Sequence, residues 1–167
     1  MYHVVLELKP PVSLEIGVED GLGSAHMCYA AKQFGGHVIG IDINQSKFAS
    51  EELPKQFDNY HFIHGNSLSK WSIVMDIIYK FGELKLVYQD SSHHYMPSHE
   101  EFALYSSMMP NGGNSVWICD DITPAFHDPK VDPEGKGMIQ YFDELPGIKM
   151  KFKNILHFGS VQGIVIL

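Results

Sequence analysis

Short β-branched runs alternate along the chain with longer stretches whose apolar residues recur at helical spacing. That alternation predicts repeated βαβ units and a largely parallel sheet. Residues 12–16 read as a buried strand closed by Gly17. A helix is expected over 24–34, with Ala25, Cys28, Tyr29 and Ala31 on its apolar face and Gly35-Gly36 stopping it. Residues 38–43 form a second strand that carries Asp42 near its end.

The spacing predicts a short helix over 46–53, then Pro54 and a third strand around 60–64. Residues 70–81 are amphipathic, with Ile73, Ile77 and Ile78 facing inward. Strands follow at 84–88 and 115–119, separated by a helix over 99–109 and the turn Pro110-Asn111-Gly112-Gly113. A polar loop, 123–136, holds three of the nine prolines and precedes a helix over 137–145. The tail differs in kind: apolar segments 149–158 and 161–167 flank a Gly-Ser turn. Strands joined so tightly must pair antiparallel, because a parallel return needs a crossover of about a dozen residues.

Composition narrows the function classes. The 167 residues fit a single domain, 1–167, with 44% hydrophobic and 19% charged residues. No apolar run approaches the roughly 20 residues that cross a bilayer. Residues 1–11 are too short and polar for a signal peptide, so a cytoplasmic protein is expected. Twelve basic against twenty acidic residues, a net charge of −8, argue against nucleic acid or an anionic membrane as partner. The two cysteines, Cys28 and Cys119, make no C-x-x-C pair and read as core packing.

Chemistry concentrates where strands end. Glu15-x-Gly17-x-x-x-Gly21-x-Gly23, followed by Ser24, lies at the turn from first strand to first helix. Glycines there allow close backbone approach to a ligand, and a helix start presents free N–H groups. A dinucleotide site asks for Gly-x-Gly-x-x-Gly with a pyrophosphate over the helix end. The wider spacing here, with acidic Glu15 before it, suits an amino-bearing or cationic ligand instead. Asp42 is placed to accept hydrogen bonds from two ribose hydroxyls.

On these residues the chain resembles the class I S-adenosylmethionine-dependent methyltransferases. Leu14-Glu15-Ile16-Gly17 through Gly23-Ser24 is similar to their first motif, and Val38 through Ile43 to their acidic second-strand motif. His64-Gly65-Asn66-Ser67 is similar to the segment flanking the adenine. The resemblance implies a three-layer Rossmann-like sandwich whose seven-stranded, mostly parallel sheet ends in an antiparallel hairpin. It also implies Glu15, Gly17, Gly21, Gly23 and Ser24 near the methionine end, Asp42 on the ribose, and Asn66 and Ser67 beside the adenine, with Asp90 also at the cofactor.

A second constellation is Gln89-Asp90-Ser91-Ser92-His93-His94 after the fourth strand and Asp120-Asp121 after the fifth. Neighbouring strands lie about 4.8 Å apart, so Asp90, Asp120 and Asp121 can converge. Three carboxylates in one cleft repel unless a cation sits among them, and hard oxygen donors suit magnesium, calcium or manganese. This segment resembles the metal-dependent O-methyltransferases of macrolide-type sugars and the cephalosporin-modifying methyltransferases. In those enzymes an Asp-x-x-His segment supplies a ligand and the general base, and an acidic pair supplies the other ligands. The resemblance implies Mg²⁺ on Asp90, Asp120 and Asp121, His93 as base with Asp90 beside it, and a hydroxylated small-molecule acceptor. The position of Asp120 is more often Glu in that subgroup. His94 competes with His93 for the role, His127 is a further candidate for touching substrate, and Tyr95, directly after this segment, is a candidate for a cofactor contact rather than packing.

Three rivals stand against this reading: a metal-free methyltransferase, an NAD-dependent oxidoreductase disfavoured by the glycine spacing, and a cofactor-binding module without catalysis. Only residues 1–11 precede the first strand, where relatives carry helices that close over substrate. Either the site is open, a partner subunit of a homo-oligomer covers it, or the chain is a fragment.

Overall fold

A computed structural model describes residues 1–110, 112, 114–122, 130, 137–153 and 161–167. The elements run α1 (Tyr2–Leu8), β1 (Val12–Ile16), α2 (Leu22–Ala31), β2 (His37–Asp42), and a π turn at Phe48–Glu52 leading into α3 (Leu53–Gln56). They continue with β3 (Tyr60–His64), α4 (Trp71–Phe81), β4 (Leu84–Gln89), α5 (Tyr95–Ser106), β5 (Val116–Cys119), α6 (Met138–Glu144), β6 (Ile148–Lys153) and β7 (Val161–Ile166).

The strands form one sheet in the order β3-β2-β1-β4-β5-β7-β6. The first five are parallel, and β7 runs antiparallel to both β5 and β6. The expected seven-stranded architecture with its terminal hairpin is therefore present; the Gly-Ser turn lies outside the described residues. The order in which the strands are added reverses at β1, which lies between β2 and β4, so a crevice opens beyond the carboxyl ends of β1 and β4.

Every residue of β1 is buried, as expected for a parallel strand covered on both faces. Alternate side chains feed two cores. One holds Leu14, Ile16, Val87, Trp117, Phe102, Tyr105, Tyr141 and Phe142 against α4, α5 and α6. The other holds Val38, Leu86, Tyr88 and Ile118 against Val5 of α1, Met27, Cys28 and Ala31 of α2, and Leu53 of α3. Trp117 is wholly buried and meets Phe102 edge to face, with ring centroids 4.9 Å apart.

Several expectations need correction. Residues 2–8 form a helix, α1, packed on α2; seven residues give too little periodicity to reveal it. Ile73 is 42% exposed rather than inward, whereas Ile77 and Ile78 do pack on the core. Helix α5 begins at Tyr95, not at residue 99. Pro97 sits in its first turn, where the missing N–H costs no intrahelical bond. No helix among the described residues is long and apolar enough to cross a membrane.

At the opposite end of the strands from the crevice, His37 Nδ1 lies 3.1 Å from His61 Nε2, and Phe81 stacks on both rings. Burial lowers both imidazole pKa values from the ordinary 6.5, and for His61 the neighbouring His37 adds to the effect. A lowered basic pKa means that the unfolded chain binds protons first. The pair's contribution to stability is full above about pH 6.5 and is lost as pH falls toward the lowered folded values. Replacing His61→Phe keeps the stack and removes one titrating ring. Thermal melts between pH 7.5 and 5 should show a shallower loss of stability in this variant; an unchanged slope would discount the pair.

Candidate cofactor and active-site cleft

A cleft of about 530 Å³ opens beyond the ends of β1 to β4, within the usual size range for a small-molecule site. Its lining includes Gly17, Glu19, Asp42, Asn66, Ser67, Asp90, His93 and Glu101. Of the residues expected at a cofactor from sequence, Gly17, Asp42, Asn66, Ser67 and Asp90 thus share one cavity. Glu15, Gly21, Gly23 and Ser24 are not among the lining residues.

The turn after β1 explains that division. Gly17 has φ +86°, and a Cβ there would fall on the backbone carbonyl of Asp90. Its N–H reaches Ile41 O at 2.9 Å, while Asp90 N–H reaches Ile16 O at 2.8 Å. Gly21 caps α2 with φ +83°. Glu15 is 2% exposed and lies under Gly23, where a side chain would strike its carboxyl. Burial pushes that carboxyl up to about 8, while its hydrogen bond from the Ser24 hydroxyl acts the other way. Glu15 therefore supports the loop from beneath, largely as the neutral acid at pH 7.

Asp42, at the end of β2, stabilises the same loop from the other side. Its Oδ2 accepts the N–H groups of Val18 at 2.7 Å and Glu19 at 2.8 Å, and Oδ1 accepts that of Asn44 at 2.7 Å. A carboxylate offers about four acceptor positions, and these three bonds leave about one. Asn66 Oδ1 accepts from Leu68 and Ser69 N–H, closing the turn after β3.

At the end of β4, His93 Nε2 lies 3.1 Å from Asp90 Oδ1. Burial works to lower the His93 pKa, yet the hydrogen bond and charge of Asp90, with Asp121 and Asp120 beyond, raise it above 6.5. Both residues line the cleft, whereas His94, the competing candidate, does not. His127 lies outside the described residues. Glu19, His93 and Asp121 all hold positive φ, at 50°, 54° and 46°. Strain of this kind in non-glycine residues gathers at functional sites.

The magnesium set expected at Asp90, Asp120 and Asp121 is not assembled. Among the described residues, no group of three His, Cys, Asp or Glu is placed to hold an ion. The Tyr88 hydroxyl lies between the first two carboxylates, 3.2 Å from Asp90 Oδ2 and 2.9 Å from Asp120 Oδ2. Burial and those two charges raise its pKa, so it stays a protonated donor. As arranged, these donors do not fit a magnesium ion: a phenol fills the gap. Tyr88 escaped the sequence reading because it looks like any aromatic core residue. Glu101 escaped it too, although an acid at the same helical face as Ser98, Phe102 and Tyr105 was a usable signal.

The profile of the methyltransferase domain family matches residues 14–122, about two thirds of the chain. No curated protein matches it in sequence. Among solved structures it is similar to an O-methyltransferase from Bacillus cereus in complex with SAH. The identity is 14%, with 99% of this chain and 78% of that one covered, at a TM-score of 0.73. It is also similar to TomG from Streptomyces achromogenes, an O-methyltransferase of tomaymycin synthesis in complex with SAM (14% identity, 99% and 77% covered, TM-score 0.73). A putative caffeoyl-CoA O-methyltransferase from Staphylococcus aureus gives 16% identity, 99% and 80% coverage, and a TM-score of 0.70. At such identities the likeness speaks for the fold.

Gly17→Ala isolates the floor of the cleft. Its positive φ and the Asp90 carbonyl predict a loss of stability of about 1–3 kcal/mol. Binding of S-adenosylhomocysteine should weaken roughly tenfold or more, since the loop must move off β4. Urea melts and calorimetry check both, and wild-type values in the variant would discount the contact.

Proposed function

The chain belongs to the methyltransferase domain family, and on that premise we propose that it methylates a hydroxyl of a small-molecule acceptor of the sugar or natural-product class. S-adenosylmethionine is the donor. The observation that carries this reading is the His93–Asp90 pair inside the cleft, 3.1 Å apart at the end of β4. The acidic lining of Glu19, Asp42, Asp90 and Glu101 adds support. It suits the sulfonium and ammonium charges of S-adenosylmethionine and opposes the pyrophosphate of NAD.

The chemistry is an in-line displacement. A lone pair on the acceptor oxygen attacks the methyl carbon, and the carbon–sulfur bond breaks with its electrons going to sulfur. The sulfonium becomes the neutral thioether of S-adenosylhomocysteine. The hydroxyl proton passes to the His93 ring, whose Nε2 lies 3.1 Å from Asp90 Oδ1. Asp90 stabilises the imidazolium that forms and fixes the ring, and the cleft supplies alignment of oxygen, carbon and sulfur. Binding to the cleft's other residues follows the order expected from sequence, with one ribose hydroxyl on Asp42 and the adenine beside Asn66 and Ser67.

One observation favours a second reading. Asp120 Oδ1 is buried and has no hydrogen-bond partner among the described residues. A divalent cation such as Mg²⁺ between Asp90 and Asp120 would satisfy it, provided the Tyr88 phenol moved aside. A cofactor-binding module without catalysis is the remaining alternative.

The substitution His93→Ala separates these. Loss of a general base is expected to lower kcat by about 10²–10⁴ with S-adenosylmethionine affinity retained. Turnover of a panel of hydroxylated acceptors by wild type and variant measures this. Equal turnover in both would remove His93 from the mechanism, and no turnover of any acceptor by the wild type would favour the non-catalytic module. Activity abolished by EDTA and restored by Mg²⁺ would favour the second reading.

A further inference from the structure

Asp90 and Asp120 stand one step beyond paired strands. In β4 and β5, Tyr88 lies opposite Ile118 and Gln89 opposite Cys119. Asp90 N–H reaches Ile16 O at 2.8 Å and Asp120 N–H reaches Gln89 O at 2.9 Å, so both acids start from backbone that the sheet holds. Strand alternation puts residue 88 on the same face as residue 90. The Tyr88 hydroxyl accordingly reaches both carboxylates, Asp90 Oδ2 at 3.2 Å and Asp120 Oδ2 at 2.9 Å.

The ring has little room to leave. Tyr88 is 7% exposed and belongs to the core that Leu86, Ile118, Met27 and Cys28 share. Swinging it aside would empty a site in close-packed surroundings and forfeit the contacts of a whole aromatic ring. Magnesium holds its oxygens at about 2.1 Å. The two carboxylate oxygens lie at hydrogen-bonding distance from the phenol instead, roughly 1 Å too far for an ion at that point. A phenol O–H there offers a proton where a cation would offer charge.

We propose that the Tyr88 hydroxyl is a built-in substitute for a divalent cation: it bridges Asp90 and Asp120, keeps metal ions out of the gap and leaves Asp90 Oδ1 to His93. The inference rests on the metal-free form of the methyl transfer above and decides against the ion considered there. It assigns that choice to a single oxygen atom. In Tyr88→Phe the ring still fills its core site, while the two carboxylates face each other with no donor between them. Asp90 Oδ2 and both oxygens of Asp120 then lack a partner among the described residues, which makes a donor set for a hard cation.

Mn²⁺, which shares the preference for carboxylate oxygen and is paramagnetic, is the probe. It is titrated into the full chain and read on the His93 ring proton signals, identified by their absence in His93→Ala. An ion against Asp90 broadens those signals. Tyr88→Phe should bind Mn²⁺ about tenfold or more tightly than the wild type by this measure. Adding Asp120→Asn to Tyr88→Phe should abolish the gain, which ties the ion to this pair of acids. Urea melts give a reading that needs no assigned signal: Mn²⁺ should stabilise Tyr88→Phe more than the wild type. Equal responses of the two proteins, including none in either, or a gain that survives Asp120→Asn, would overturn the proposal. Broadening of the wild-type His93 signals at micromolar Mn²⁺ would overturn it without any variant. None of these readings involves the cofactor. A wild type that fails to bind S-adenosylhomocysteine would sink the cofactor reading and leave the role of Tyr88 to the ion titrations.

Discussion

The site depends on how closely two backbones approach. At the switch point of the sheet, β1 and β4 lie side by side, and Gly17 passes over the carbonyl of Asp90 where no Cβ could fit. Asp90 N–H to Ile16 O extends the ladder one step beyond the strands. That one contact sets the depth of the cleft and the place of Asp90, and through Asp90 it places His93. The same turn is supported from beneath by Glu15 and Ser24 and from the side by Asp42, which accepts the N–H groups of Val18 and Glu19. Two carboxyl groups that look alike in sequence thus act oppositely. One is buried and largely neutral; the other accepts three backbone N–H groups beside the cavity.

Much of this was legible in the chain before folding was considered. Each of the seven strands is β-rich and bounded by turn residues, and short-range constraints alone require the antiparallel hairpin. Gly17, Asp42, Asn66, Ser67, Asp90 and His93 were legible because they stand just after strands, where a parallel sheet gathers its loops. Glu15 was expected near the methionine end, but its burial under Gly23 was not legible, because sequence gives a residue's place along a strand and not the face that a tight turn leaves it on. Helix α1 was missed because its stability comes from packing on α2 rather than from its own seven residues. Ile73 and Tyr88 show the same limit: an apolar or aromatic letter does not say whether it faces core, water or a pair of acids.

The acids divide into two groups by how they are satisfied. Glu101 is surrounded by donors, and its cluster joins the turn after β3, the end of β4 and helix α5 into one rigid wall. Asp90 and Asp120 instead share a single phenol, which has one proton for two carboxylates. The first arrangement fixes a shape. The second leaves Asp120 Oδ1 without a partner among the described residues, while Asp90 also meets His93 Nε2.

Rigidity and strain are distributed accordingly. The wall and floor are hydrogen-bonded and buried, whereas three of the four described non-glycine residues at positive φ are Glu19 and His93 on the lining and Asp121 just after β5; the fourth, Lys9, ends α1. Each such conformation costs roughly 1–3 kcal/mol and persists only where the surroundings over-determine it. Here the surroundings are the packed ends of β1, β4 and β5, whose core includes the wholly buried Trp117 and Val87. His93 is therefore held in an unfavourable backbone state with its ring on Asp90, four residues beyond the end of β4. On the function proposed above, a ring placed that way is already oriented when the acceptor arrives, which is what an in-line transfer between two bound groups demands of a base.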